Sequence, residues 1–204
     1  MFVKNKKMSI TLIFATNNYH KLTEARNILA DINILSLDDI KLTTHIPEDF
    51  HTLKENASQK SWYIYNKTKM NCFSDDTGLE VIALNGKPGV FSARYAGKQA
   101  SYEDNMKKLL TDMLSINDRR AIFKTVISLI IKGKEFFFEG IVNGIITKNP
   151  KGNNGFGYDP IFIPEGYNKT FAELTYEEKN KLSHRAKALQ EMAIFINYNK
   201  DKLF

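Results

Sequence analysis

Two apolar runs, Ala121 to Ile131 and Glu135 to Ile146, flank Lys132-Gly-Lys134. Both are rich in β-branched and aromatic residues, and the glycine between two lysines marks a tight reversal. The pair reads as a long β-hairpin, with Phe136 and Phe138 sharing a face. Near the start, Ser9 to Ala15 is a continuous apolar run, the mark of a strand buried on both faces and usually parallel. Leu22, Ala25, Ile28 and Leu29 then recur at helical spacing, so a helix follows the turn Thr16–Lys21. A parallel opening strand and a long antiparallel hairpin predict an α/β fold with an elongated mixed β-sheet flanked by helices.

The rest of the chain fits that frame. Thr52-Leu-Lys-Glu55 is a capping box that starts a helix running to about Met70. Cys72 to Asp75 reads as a short strand ending on acids, and Leu79 to Leu84 as another, closed by the turn Asn85–Gly89. Ser101 with Asp104 opens a helix whose stripe is Met106, Leu109, Leu110, Met113 and Leu114. Thr147 to Gly157 is a glycine- and asparagine-rich loop, and Ile161 to Ile163 a short strand. Thr175 with Glu178 caps a further helix. Ser183 is a good N-cap, so a break is expected there, followed by a helix with the stripe Ala186, Leu189, Ala193 and Ile196 to about Asn197. With no linker or repeat in view, residues 1–204 read as a single domain in two lobes around a central cleft, residues 1–8 being an extension. Met8 stands directly before the first strand and is a second candidate start.

Composition excludes several classes. A single cysteine, Cys72, rules out an intrachain disulfide and a cysteine-based zinc site. No apolar run approaches a bilayer span, and the run after Lys4, Lys6 and Lys7 is too short for a signal-peptide core. The expected location is the cytoplasm, with no membrane partner. Net charge is +6, which by itself suggests a nucleic-acid binder. The lysines are interspersed with acids, however, as around Glu103, Asp104, Lys107 and Lys108. That pattern favours a solvated surface that draws in small polyanions, and no nucleic-acid partner.

Four segments carry chemistry. Thr16-Asn17-Asn18-Tyr19-His20-Lys21 sits where a strand becomes a helix, a place that favours anions, and reads equally as a plain Asn-capped turn. Asp75-Asp76-Thr77-Gly78 is either a solvated turn or a pair of acids used by a cation. Alternation would point the two acids different ways. In Gly155-Phe156-Gly157-Tyr158-Asp159-Pro160 the glycines let backbone approach a flat ligand, with Phe156 to stack and Asp159 to accept from ring N–H groups. A tight turn with a buried Phe is the plain alternative. Lys179, Ser183, His184 and Arg185 belong to a salt-bridged helix, or converge on one ligand if the chain breaks at Ser183.

Together with Ser92-Ala-Arg-Tyr95 and the run Ser183 to Leu189, these segments resemble the inosine/xanthosine triphosphate pyrophosphatase, or Ham1, family. The resemblance spans about Ser9 to Leu189. It implies a homodimer that uses Mg2+ to hydrolyse purine nucleoside triphosphates such as ITP, dITP and XTP to the monophosphate plus pyrophosphate. Such enzymes cleanse the nucleotide pool. By that resemblance Thr16, Asn17, Asn18, Tyr19, His20 and Lys21 hold the triphosphate. Asp76 binds metal and acts as the base, with Thr77 beside it. Phe156, Gly157, Tyr158, Asp159, Lys179, His184 and Arg185 hold the nucleotide, chiefly its base. Glu48 matches a second metal acid and Lys60 a lysine near the phosphates. Two positions depart from the pattern: Thr77 stands for serine, and Phe50 replaces a glycine just after Glu48. Selectivity would come from His184 or Arg185 donating to a 6-oxo group, where adenine has an amine. The alternatives are a Maf-like pyrophosphatase for other modified nucleotides and a non-enzymatic basic nucleic-acid-binding protein. The segments Gly155–Pro160 and Ser183–Arg185 argue against both.

Overall fold

The computed structural model describes residues 10–43 and 46–204. Ser9 and residues 1–8 therefore lie outside the described residues. The elements in chain order are β1 (Ile10–Phe14), α1 (Tyr19–Ile28), β2 (Ile32–Leu35), α2 (Leu53–Thr68), β3 (Cys72–Val81) and β4 (Pro88–Gly89). They continue as α3 (Tyr102–Asp112), β5 (Arg120–Ile131), β6 (Lys134–Ile146), β7 (Phe162–Pro164), α4 (Tyr176–Leu182) and α5 (His184–Leu203). Among the described residues, one seven-stranded sheet has the order β2-β1-β3-β5-β6-β7, with β4 on β3. β1 runs parallel to β2 and β3, and the remaining pairings are antiparallel.

The hairpin forms as read, from Arg120 opposite Ile145 to Ile131 opposite Lys134. Its two-residue turn has both residues left-handed, Lys132 at φ 49° and Gly133 at φ 76°, a geometry that matches strand twist. One reading is corrected. The acids do not end a strand: β3 is continuous and pairs with β5 from Cys72 opposite Ile130 to Val81 opposite Ala121. Gly78 is not a turn but a close approach, since a Cβ there would lie 2.7 Å from the Gly89 carbonyl oxygen. β2 is an added strand, short and half-exposed, without the pattern that would announce it. Leu114 falls past the end of α3 and is 84% exposed, so it leaves the expected stripe.

Alternation distributes the apolar residues of the sheet between its faces. Leu12, Phe14, Phe73, Ile127 and Leu129 pack under α1 and α5, while Ile13, Cys72 and Ile130 pack with Ile64 of α2. A third cluster builds the second lobe around Leu79, Phe123, Val142, Phe162 and Phe171, with Leu109 and Met113 from α3. α4 ends and α5 begins at Ser183, whose extended backbone (ψ 156°) breaks the helix while its hydroxyl accepts from the Ala186 amide. Among the described residues no helix is long and apolar enough to cross a membrane.

Candidate active site

A cleft of about 710 Å³ opens between the lobes. Thr16, Asn17, Asn18, Lys21, Glu48, Lys60, Asp76, Thr77, Phe156, Gly157, Tyr158, Asp159, Lys179, His184 and Arg185 all line it. Segments up to 169 residues apart in the chain, from Thr16 to Arg185, thus meet in one place. Tyr19 and His20 do not line the cleft. Tyr19 is 74% exposed, and His20 stacks on Phe156 at 5.1 Å from an adjoining groove.

At one end, Asn18 caps α1, its Oδ1 accepting from the amides of His20 and Lys21 at 3.0 and 3.2 Å. The Thr16 hydroxyl accepts from the Asn18 amide at 3.1 Å. The turn therefore satisfies these three amides with its own side chains, and the positive charge it brings to the cleft is Lys21. Beside it, Lys60 Nζ donates to Glu48 Oε1 and, at 3.3 Å, to Asp76 Oδ1. The second Asp76 oxygen accepts from Asn56 Nδ2 at 3.2 Å. Two carboxylates converging on one ammonium are spaced to share a cation. Magnesium needs only one or two protein carboxylates when waters and phosphate oxygens complete its shell, so Asp76 and Glu48 fit such an ion. Among the described residues no group of three or more His, Cys, Asp or Glu converges in that way.

The other end is a buried ionic lattice. Arg185, 2% exposed, donates from Nε to Asp75 Oδ2 at 2.9 Å, from Nη1 to Glu24 Oε2, and from Nη2 to Thr77 Oγ1 at 3.1 Å. Lys179 donates to Glu24 Oε1 at 2.8 Å and Asp159 Oδ2 at 2.6 Å. Asp159 also accepts from the Phe156 amide at 2.8 Å, and Gly155 is required there because a Cβ would strike that carboxylate at 2.1 Å. Asp159 is thus spent on Lys179 and the loop backbone, not held free for a ring N–H. Over the Phe156 ring lie Lys179 Nζ at 4.9 Å and the Arg185 guanidinium carbon at 5.5 Å.

These neighbours set the charges. Burial alone would raise the Asp75 pKa, but Lys21 and Arg185 outweigh it and hold the carboxyl below the usual range. Burial raises that of Asp76 despite Lys60 and Lys21, with Glu48 and Asp75 adding to the rise. Lys60 and Lys179 keep their protons, since their carboxylate partners overcome burial. Burial, then Arg185 and Lys179, depress His184 well below its ordinary value, so its imidazole is neutral. It stacks on Phe123 at 4.4 Å, and its buried Nδ1 has no hydrogen-bond partner among the described residues.

Sequence reasoning missed Glu24, Asn56 and Tyr102, and gave Asp75 no clamp role. Only Glu24 left a signal: a carboxylate beside the buried stripe positions Leu22 and Ala25. An acid there is stable only if cations reach it.

A cleft over a mixed sheet that gathers carboxylates, ammonium and guanidinium groups and an aromatic ring suits a nucleotide-handling α/β protein. A family model described as Ham1 family matches residues 12–195. The chain is 52% identical over 182 residues to the dITP/XTP pyrophosphatase of Flavobacterium johnsoniae, covering 89% of this chain and 95% of that one. It is 52% identical over 185 residues to the dITP/XTP pyrophosphatase of Flavobacterium psychrophilum, covering 90% and 97%. The solved structure of the Staphylococcus aureus Ham1 protein superposes with a TM-score of 0.84 at 37% identity, covering 93% of this chain and 99% of that one. The chain belongs to the Ham1 family.

Proposed function

We propose that this protein hydrolyses dITP, ITP and XTP to the monophosphate and pyrophosphate, sparing ATP and GTP. The observation that carries the reading is the two-ended cleft. Lys21, Lys60, Asp76 and Glu48 gather at one end, and Phe156, Lys179, His184 and Arg185 at the other, within one cavity of about 710 Å³. A triphosphate seated on Thr16, Asn17, Asn18 and Lys21 directs its base toward the Phe156 end of the cleft. The relatives' activity on dITP and XTP supports the same assignment.

Asp76 accepts the proton of the attacking water. Its bonds to Lys60 and Asn56 fix both of its oxygens. Lys21 and Lys60 balance charge on the departing pyrophosphate. When bound between Asp76 and Glu48, Mg2+ would neutralise phosphate charge and polarise the phosphorus under attack. At the base end, neutral His184 meets the purine edge, and a 6-oxo group offers it an acceptor that adenine lacks. Arg185 keeps further N–H donors beyond the three it uses. The chain acts on free nucleotides in the cytoplasm as a homodimer, without nucleic acid or membrane.

The test is a panel of nucleoside triphosphates with Mg2+, measuring pyrophosphate and orthophosphate separately. Expected is pyrophosphate release with kcat/KM for ITP, dITP and XTP above that for ATP and GTP. Orthophosphate with a diphosphate product would rule the reading out.

A further inference from the structure

Tyr102 opens α3, where the reciprocal capping box of Ser101 and Asp104 holds the helix start in place. Its hydroxyl accepts a hydrogen bond from Asn18 Nδ2 at 3.1 Å, and its ring lies 5.9 Å from that of Phe156. It lines the cleft and is 39% exposed. One side chain therefore touches both the turn assigned to the phosphates and the ring assigned to the base. In a nucleoside triphosphate the group between those two is the sugar. A phenol that accepts from Asn18 retains its own proton to donate.

Resting on the function proposed above, we propose that Tyr102 is the sugar-contacting residue of this cleft, its hydroxyl donating to a sugar hydroxyl of the bound nucleotide. Asn18 orients that phenol, since its Oδ1 is committed to the amides of α1 and its Nδ2 is left to face Tyr102. The aromatic ring continues the Phe156 surface toward the phosphates, so the sugar lies against an apolar wall and meets one donor.

The experiment compares wild type with Tyr102→Phe on ITP and on 2′,3′-dideoxy-ITP, as substrates or, where turnover is slow, as competitive inhibitors. The variant keeps the ring, and a melting curve confirms its fold. Expected is a loss of about three- to tenfold in kcat/KM for ITP, the worth of one neutral hydrogen bond, carried by KM. The dideoxy nucleotide should bind both proteins alike. An equal loss with both nucleotides would mean that the hydroxyl acts only through Asn18, and no loss with either would mean that it acts on nothing. Both results overturn the proposal. A wild-type protein that releases no pyrophosphate from ITP instead overturns the functional reading beneath it.

Discussion

Asp75 and Asp76 are neighbours in β3, yet their surroundings drive their carboxyls apart. Asp75 sits between Lys21 and Arg185 and is held ionised, whereas burial keeps the proton closer to Asp76. Strand alternation makes this possible by aiming adjacent side chains at different partners. Asp75 is thus the anchor of two cations and Asp76 the candidate base. Asp76→Asn preserves size, so we expect a folded protein that has lost about 10²–10⁴ in kcat on ITP, the range of a missing general base. Near-normal turnover would move that role elsewhere. Arg185→Ala should act differently. It removes the partner that Asp75 and Glu24 share and leaves each with one lysine, Lys21 or Lys179, so unfolding free energy should drop by about 1–3 kcal/mol. Urea titration reads this directly. A loss under 1 kcal/mol, as expected for an exposed pair, would show that the lattice adds little.

At the scale of elements, the join between α4 and α5 brings the base end together. Ser183 breaks the helix, so Lys179 at the end of α4 and His184 and Arg185 at the start of α5 face one cleft. That break was legible, because a serine N-cap in a helical stretch has a local physical meaning. What fixes the height of α5 above the sheet was not. Gly140 of β6 lies directly beneath it, where a Cβ would sit 1.9 Å from the His184 carbonyl oxygen and 2.7 Å from the Ala188 nitrogen. Gly140→Ala must push the helix outward, carrying His184 and Arg185 with it. Overpacking of this kind costs about 1–3 kcal/mol, and kcat/KM for ITP should fall as well. Measuring both separates a displaced site from simple instability, and an alanine variant with unaltered kcat/KM would show that the helix start tolerates the shift.

For the molecule as a whole, the buried charges make stability depend on pH. His184 is neutral in the folded protein and titrates from an ordinary value of 6.5 when unfolded. Its folded pKa is depressed, so its contribution is complete above 6.5 and is lost as pH falls through the folded pKa. Arg185, Lys179 and Lys21 face it with like charge, and Asp75 only partly offsets them. In the window below 6.5 the wild type should lose about 1.4 kcal/mol per pH unit more than His184→Asn, until the folded histidine itself protonates. Denaturant titrations of both proteins at pH 7.5, 6.5 and 5.5 test this. Parallel pH curves would show that His184 is not buried neutral.

The sequence by itself determined what depends on neighbours along the chain: the hairpin about Lys132-Gly133, the capped helix starts, the break at Ser183 and the segments that carry polar chemistry. Each follows from periodicity, a cap or a turn, and each is decided within a few residues. It could not determine that Cys72 to Val81 is one strand, because Gly78 signals a turn locally and is a close approach to Gly89 only once β4 is in place. Nor could it pair Glu24 with Lys179 across 155 positions, or bring Tyr102 against Asn18 across 84. Such partnerships depend on which surfaces the packed sheet and helices bring together. The charge states of Asp75, Asp76 and His184 follow from that packing, through burial and the cations it places beside them.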